Sequence, residues 1–212
     1  AGGAGNDSYV VDNSGDVVIE NLGAGYDRVY STVSYALIPD VERLDLTGNS
    51  AINGTGNASS NWLQGNRQAN VLDGGASADL LVGGLGNDTY LFARGYQADR
   101  IHDLDKTVGN TDLVSFADGI AADQLWFRHV GNDLEVSIIG TSDKLTIQYW
   151  YFNASDYHVE QFKTSTGKLL TDARVENLVQ AMAAFSPPAA GQTTLPQSYQ
   201  DALATTIAAN WQ

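Results

Sequence analysis

The chain has 212 residues, 43% of them hydrophobic, with 25 Asp and Glu against 11 Lys and Arg, a formal net charge of −14 and no cysteine. That is enough chain for one large or two small domains and enough apolar content for a packed core. The charge opposes nucleic acid and anionic membrane surfaces and suits a protein that collects cations; the missing cysteine excludes disulfides, thiolate metal sites and cysteine nucleophiles.

The chain opens on AGGAGNDSY, which reads as the middle of a repeat. It shows no secretory signal pattern and no run of eighteen apolar residues that could span a membrane. It is therefore expected to be the C-terminal part of a longer protein. Gly2, Gly3, Gly5, Asp7 and Tyr9 make one complete glycine–aspartate unit. Gly23, Gly25, Asp27 and Val29 make a second, with Leu22 where the first glycine belongs. Residues 28–47 alternate in RVYSTVSYAL and VERLDLTG, interrupted at Pro39 and Asp40, and read as longer strands extending the same fold.

From residue 56 a period of nine is explicit. Asn61, Asn70, Asp79 and Asp88 recur at that step, and two residues after each comes Leu63, Leu72, Leu81 or Tyr90. Five residues before each comes Gly56, Gly65, Gly74 or Gly83, followed by Asn57, Asn66, Gly75 or Gly84; Gly86 adds a further glycine to the last unit. Glycine and asparagine tolerate positive φ, so the paired positions read as sharp turns. The apolar position then starts a short strand with its side chain inward. Two nine-residue units make one eighteen-residue coil of a right-handed parallel β-roll, and loops one coil apart stack on one edge. Asp7 and Asp27 are twenty residues apart, as are Asp79 and Asp99, so each pair is expected to face across stacked loops. Position 61 shares an edge with 79, and 70 with 88.

Such loops could cradle a phosphate, turn a metal-free coil, or offer oxygens to a metal. The aspartate-bearing loops carry no Lys or Arg and no helix follows them, which argues against phosphate.

Residues 93–120 read as a loosened end of the roll. LWFRHV, DLEVSII, KLTIQYWYF and YHVEQFKT then read as strands of an antiparallel meander that caps the open end, split by GN, GTSD and NASD. Thr171 or Asp172 can cap a helix over about 173–185 with an apolar stripe of Val175, Leu178, Val179 and Met182. SPPAAGQTTLP is a linker, and Tyr199, Leu203, Ile207 and Trp211 mark a second helix. The expected organisation is an all-β roll over 1–120, a β cap over 121–170 and a helical tail over 171–212.

The pattern G-G-x-G-x-D-x-U-x, with U a large apolar residue, resembles the calcium-binding nonapeptide of RTX proteins. Residues 1–92 are also similar to the repeat modules of alginate epimerases, and residues 121–170 to the domain that often follows such repeats. The resemblance implies Ca²⁺ held by backbone carbonyls and by the motif aspartate. Carried onto this chain, the aspartates are Asp7, Asp27, Asp79 and Asp88, with Asp99 a partner of Asp79 and the loop glycines supplying carbonyls. Asp88 finds its own partner downstream among Asp103, Asp105 and Asp112. Asn61 and Asn70 depart from the pattern. A neutral amide removes charge, so the sites they share are expected to be weak or empty, with the asparagines hydrogen-bonding along the stack instead. The tail, which has no Lys or Arg after Arg174, resembles the uncleaved C-terminal signal of type I secretion substrates. The implied setting is the exterior or surface of a Gram-negative bacterium, with the type I secretion machinery as partner.

No catalytic constellation stands out. His102, His129 and His158 are isolated and read as surface or strand-face residues, and no G-x-S-x-G elbow occurs. The run Tyr149-Trp150-Tyr151-Phe152 reads mainly as core and cap packing, with stacking on a sugar as the alternative. A polysaccharide-binding or adhesin module, with an anionic polysaccharide such as alginate as ligand, is therefore the second reading beside a calcium-dependent folding module, and a fragment of an exported enzyme the third. The sequons at Asn53 and Asn153 are assigned no role.

Overall fold

The computed structural model describes residues 1–23, 25–152 and 156–212. The chain is mostly β, with two helices at its C-terminal end. From β2 (Arg28–Ser31) to β11 (Leu113–Phe116), successive strands go alternately to two sheets. One takes β1 (Ser8–Val11), β2 (Arg28–Ser31), β4 (Arg43–Leu46), β6 (Trp62–Gln64), β8 (Leu80–Val82) and β10 (Ala98–Ile101), all paired in parallel. The other takes β3 (Tyr35–Ala36), β5 (Gly54–Thr55), β7 (Val71–Asp73), β9 (Thr89–Phe92) and β11 (Leu113–Phe116), also parallel. This is an arrangement consistent with a β-roll.

The nine-residue period explains the alternation. One step moves the chain to the facing sheet, and two steps bring it back one strand further along. Leu63 therefore sits beside Leu81, and Leu72 beside Tyr90. These side chains, with Leu44, Ile101 and Val114, are fully buried. A three-residue strand points its middle residue inward and its flanking residues outward, and the burial of β6, β7 and β8 follows that alternation. Of the strands in residues 28–47, β2 and β4 have four residues, one more than β6, β7 and β8, and β3 has two.

Where the glycine loops give out, the sheet is held by other means. Arg28 and Arg43 each make two hydrogen bonds to Asp45, at 2.5–3.0 Å, and Arg43 lies 3.7 Å over the Trp62 ring. Burial raises the Asp45 carboxyl, but the two guanidinium groups outweigh it and hold the group below its ordinary range.

Past residue 120 both sheets continue. β12 (Leu125–Val130), β13 (Asp133–Ile138) and β14 (Lys144–Ile147) run antiparallel to one another, yet β14 lies parallel to β10, with Asp99 beside Leu145. β15 (Gln161–Lys163) lies parallel to β11, with Val114 beside Phe162, and β16 (Leu169–Thr171) closes antiparallel on β15. Leu145, Ile147 and Phe162 are fully buried and prolong the apolar columns of the roll. The strand expected over 144–152 ends at Ile147; the aromatic run lies on a turn, where Tyr149 takes φ +61°. The turn expected over 153–156 falls largely outside the described residues.

Helix α1 (Asp172–Met182) packs on β12 and β16, and α2 (Gln197–Asn210) packs on α1. Val175, Leu178, Val179 and Met182 are all buried, as the stripe requires. Thr171 stands at the N-cap position but its side chain makes no capping hydrogen bond. The chain end pairs with the sheet, since Leu169 N–H donates to Gln212 O at 2.7 Å and Gln212 N–H to Leu169 O at 2.9 Å. An open strand edge is thereby covered. No described helix is long and apolar enough to cross a membrane.

Leu81→Ala will test the column. Removing a fully buried leucine side chain between two like neighbours should destabilise the calcium-saturated protein by about 2–5 kcal/mol. Denaturant unfolding at saturating Ca²⁺ checks it, and a loss under about 1 kcal/mol would mean that the stack closes over the hole.

Candidate metal centres

The residue just before each strand carries the acid or amide of the repeat. Its backbone N–H donates to the side chain of its counterpart one coil on, so the side chains form two columns. On one edge Asp7 N–H donates to Asp27 Oδ1 at 2.7 Å and Asp27 N–H to Glu42 Oε2 at 2.7 Å. On the same edge Asn61 N–H donates to Asp79 Oδ1 at 2.7 Å, and Asp79 N–H to Asp99 Oδ1 at 3.0 Å. On the opposite edge Asn70 N–H donates to Asp88 Oδ1 at 2.8 Å, Asp88 N–H to Asp112 Oδ1 at 2.6 Å, and Asp112 N–H to Glu160 Oε2 at 2.7 Å.

Each such bond uses one carboxylate oxygen. The other, Oδ2 of Asp7, Asp27, Asp79, Asp88 and Asp99, is shielded from solvent and has no hydrogen-bond donor among the described residues. A buried carboxylate oxygen without a partner is costly. Burial accordingly pushes the carboxyl of Asp79 up to about 7, that of Asp88 to about 7 and that of Asp99 to about 8.

Backbone oxygens crowd the same turns. A Cβ added at Gly56 would overlap Gly74 O, one at Gly65 would overlap Gly83 O, and one at Gly25 would overlap Gly5 O. A Cβ at Gly74 would overlap Asp79 Oδ2, and one at Gly83 would overlap Asp88 Oδ2. Glycine is needed there for close approach. The next position turns the chain: Gly75 has φ +85° and Gly84 φ +103°. Gly3, Gly5, Gly23 and Gly86 also take positive φ. Oxygen-only surroundings, negative charge and orphaned carboxylate oxygens fit a hard cation such as Ca²⁺.

The asparagine units differ. Asn57 and Asn66 were expected to take positive φ in place of the second glycine, and they do not. Their side chains bond instead: Asn57 Nδ2 donates to Ile38 O and Val41 O at 2.7 and 2.8 Å, and Asn66 Nδ2 to Ser50 O at 2.9 Å. Asn61 Nδ2 donates to Val41 O at 3.1 Å, and Asn70 Nδ2 to Ile52 O at 2.5 Å. Amide hydrogens thus take up carbonyl oxygens of the preceding coil.

Of the three downstream acids, Asp112 is the one that stacks on Asp88. Asp105 accepts from Gly86 N and Thr107 N, at 3.1 and 2.7 Å. Asp103 is buried near Asp112 and Asp88, and neither of its oxygens has a donor among the described residues. Sequence reasoning missed Glu42 and Glu160, which extend the columns, and Asp143. The latter accepts from Gly95 N and Gln97 N at 2.9 and 3.0 Å and ties the end of β9 to β14. None of the three sits in a glycine unit, so the nine-residue pattern carries no trace of them.

The histidines lie apart from these columns in pairing. His158 stacks on the buried Trp150, His129 on Tyr151, and His102 meets Tyr149 and Tyr157 edge-on. Tyr149 and Phe152 remain 41% and 62% exposed.

Comparison with known proteins agrees with the geometry. Residues 55–90 match the family model of the RTX calcium-binding nonapeptide repeat, in four copies. Residues 133–174 match the haemolysin-type calcium binding protein related domain. The iron-regulated protein FrpA of Neisseria meningitidis serogroup C is 36% identical over 94 residues, which cover 43% of this chain and 8% of the relative. The chain therefore carries calcium-binding RTX repeats, and spans less than a tenth of the length of that relative.

Proposed function

We propose that this chain is a non-catalytic, calcium-dependent folding module of an exported protein. It would be wound as a right-handed parallel β-roll over residues 1–120, with residues 121–170 as cap and 171–212 as a tail that carries a type I secretion signal. The observation that carries this reading is the pair of buried carboxylate columns, each with oxygens that no donor among the described residues satisfies. Right-handed winding follows the general rule for parallel strand crossovers. The proposed ligands are the aspartates at 7, 27, 79, 88, 99, 103 and 112, with carbonyls of the loop glycines.

Bound Ca²⁺ would supply positive charge and oxygen coordination between the turns. The protein's part is to hold one oxygen of each carboxylate on a neighbouring N–H and leave the other free. With 25 acidic against 11 basic residues, an unliganded chain repels itself on closing. Extracellular calcium modules bind with dissociation constants of about 10⁻⁴–10⁻³ M, far above free cytosolic levels. Such a chain stays unfolded and fit for export inside the cell and folds outside, because the ion binds only the folded form.

Adding millimolar Ca²⁺ to chelated protein should bring a cooperative gain of β structure by circular dichroism. A spectrum that does not change on titration would overturn the reading. A second reading rests on the exposed Tyr149 and Phe152 beside Tyr157, which could stack on an anionic polysaccharide. Calorimetry with alginate, with and without Ca²⁺, separates the two.

A further inference from the structure

The roll contains the same eight-residue pattern twice: GGAGNDSY at residues 2–9 and GGLGNDTY at 83–90. These are the units whose inward apolar position is tyrosine, and in both the tyrosine hydroxyl comes back to the first glycine. A Cβ at Gly2 would overlap Tyr9 Oη, and one at Gly83 would overlap Tyr90 Oη. Gly83 N–H donates to Tyr90 Oη at 3.0 Å.

What stacks on that first glycine sets these two turns apart. In the middle of the roll glycine stacks on glycine. Gly56 N–H bonds to Asp73 O, which places Gly74 beside Gly56, and Gly65 N–H bonds to Val82 O, which places Gly83 beside Gly65. Gly2 N–H bonds in the same way to Ile19 O, which places Glu20 beside Gly2. Ile101 pairs with Leu81 and His102 N–H bonds to Leu81 O, which carries Asp103 to the place beside Gly83. In both cases a carboxylate stands where the repeat has glycine.

The consequence is a third acid at each turn. Oxygens of Asp7, Glu20 and Asp27 all lie within 4.8 Å of one another. Tyr9 Oη donates to Glu20, and Oδ2 of both Asp7 and Asp27 has no donor among the described residues. At the second turn Asp103, only 1% exposed, has no donor among the described residues for either oxygen, and Asp88 Oδ2 and Asn110 Oδ1 are likewise without one, but the oxygens of Asp88, Asp103 and Asp112 do not close to the spacing of the first three. Asn110 Nδ2 holds Asp112 Oδ2 at 2.8 Å, which orders that carboxylate. Three carboxylates whose oxygens lie as close as those of Asp7, Glu20 and Asp27, two of them with an oxygen that no described donor reaches, offer a hard cation an all-oxygen set of ligands.

We propose that Asp7, Glu20 and Asp27 form one carboxylate-rich divalent-cation site, to which Glu20 brings a ligand from outside the glycine unit. It differs in kind from the turn of Asp79 and Asp99, where the register places Phe92 beside Gly74 and no third acid stands. The proposal rests on the calcium-module reading. Affinity for Ca²⁺ rises with carboxylate count, so this site fills first and clamps the first coil of the roll.

The test is ion counting by equilibrium dialysis on the full chain at Ca²⁺ well below the midpoint of the remaining sites. Near-UV circular dichroism follows the fold. Glu20→Gln keeps an acceptor for Tyr9. It should lose one tightly bound ion, with affinity at the altered site down at least about tenfold. Asp105→Asn, whose carboxylate serves Gly86 and Thr107, should keep the parent count. If the parent chain binds no Ca²⁺, the module reading itself falls. If it binds Ca²⁺ and Glu20→Gln holds the same number of ions at the same affinity, this inference falls alone. Glu20 is half-buried in the first coil and most of the roll does not depend on it, so the variant folds and the ion count decides.

Discussion

Calcium-depleted protein will lose its fold as pH rises from 5 to 8, and calcium-loaded protein will not. The cause is the set of half-satisfied carboxylates. Burial raises the folded-state pKa of Asp79 to about 7, of Asp88 to about 7 and of Asp99 to about 8, and Asp103 and Asp112 are also raised, by burial first. In the unfolded chain each titrates near 4. A group raised on folding adds stability that is fully present below its unfolded pKa and is lost as pH climbs through the folded value. For these aspartates the loss runs from about pH 4 to about pH 8. Over that window each group costs about 1.4 kcal/mol per pH unit, and the several groups act in the same direction. Protons thus stand in for the metal. Asp45 and Glu135 oppose this, because Arg28 and Arg43, or Arg128 and Lys144, hold them below their ordinary values despite burial. They lose stability as pH falls through that lower range, so the measurement stops at pH 5. Thermal midpoints of resin-stripped protein should fall steeply between pH 5 and 8, while in saturating Ca²⁺ they should stay nearly level. A stripped protein that grows more stable toward pH 8 would mean that the buried carboxylates are not what calcium relieves.

How much of this was legible in the sequence depends on which residues carried a period. Leu63, Leu72, Leu81 and Tyr90 recur every nine residues because each unit must present one side chain to the interior, and the alternation between two sheets follows from that step. The link from Asp79 to Asp99 could be read from a spacing of twenty, close to one coil. The column on the other edge could not. Asp88 to Asp112 is a step of 24 residues, and Asp112 to Glu160 a step of 48, because β12 and β13 intervene before the chain rejoins the stack. Insertions of that length leave hydrogen bonding intact while erasing periodicity. The same insertion hid Asp143, and it made residues 121–170 read as a separate meander although β14 and β15 prolong both sheets. Glu42 escaped because Arg43, Asp45 and Trp62 hold that level of the sheet without a glycine turn. The asparagines show the opposite failure. Their residue type suggested a tolerated positive φ, whereas their side chains are engaged with carbonyls of the preceding coil.

That engagement sets up the second large effect. Asp79→Ala should lower the number of ions bound at saturation and move the calcium midpoint of folding strongly upward, and Asp7→Ala should do likewise. Asn61→Ala should leave the ion count unchanged and move the midpoint only a little. Asp79 serves two neighbours at once: Oδ1 accepts from Asn61 N, and Oδ2 is the free oxygen facing Gly74. Its loss removes a ligand and leaves a backbone N–H unpaired. Asn61 instead joins coils through neutral hydrogen bonds, accepting from Asn57 N at 2.7 Å and donating to Val41 O at 3.1 Å. Losing them costs about 1–3 kcal/mol of folded-state stability. Folding and binding are coupled, so that cost also shifts the calcium midpoint, but it is divided among all the ions taken up in the transition. The ion count separates the two mechanisms where the midpoint alone would blur them. Atomic-absorption counting beside the circular dichroism titration checks this, and equal shifts with equal counts for Asp79→Ala and Asn61→Ala would remove the distinction between aspartate turns that need a cation and asparagine turns that supply their own hydrogen.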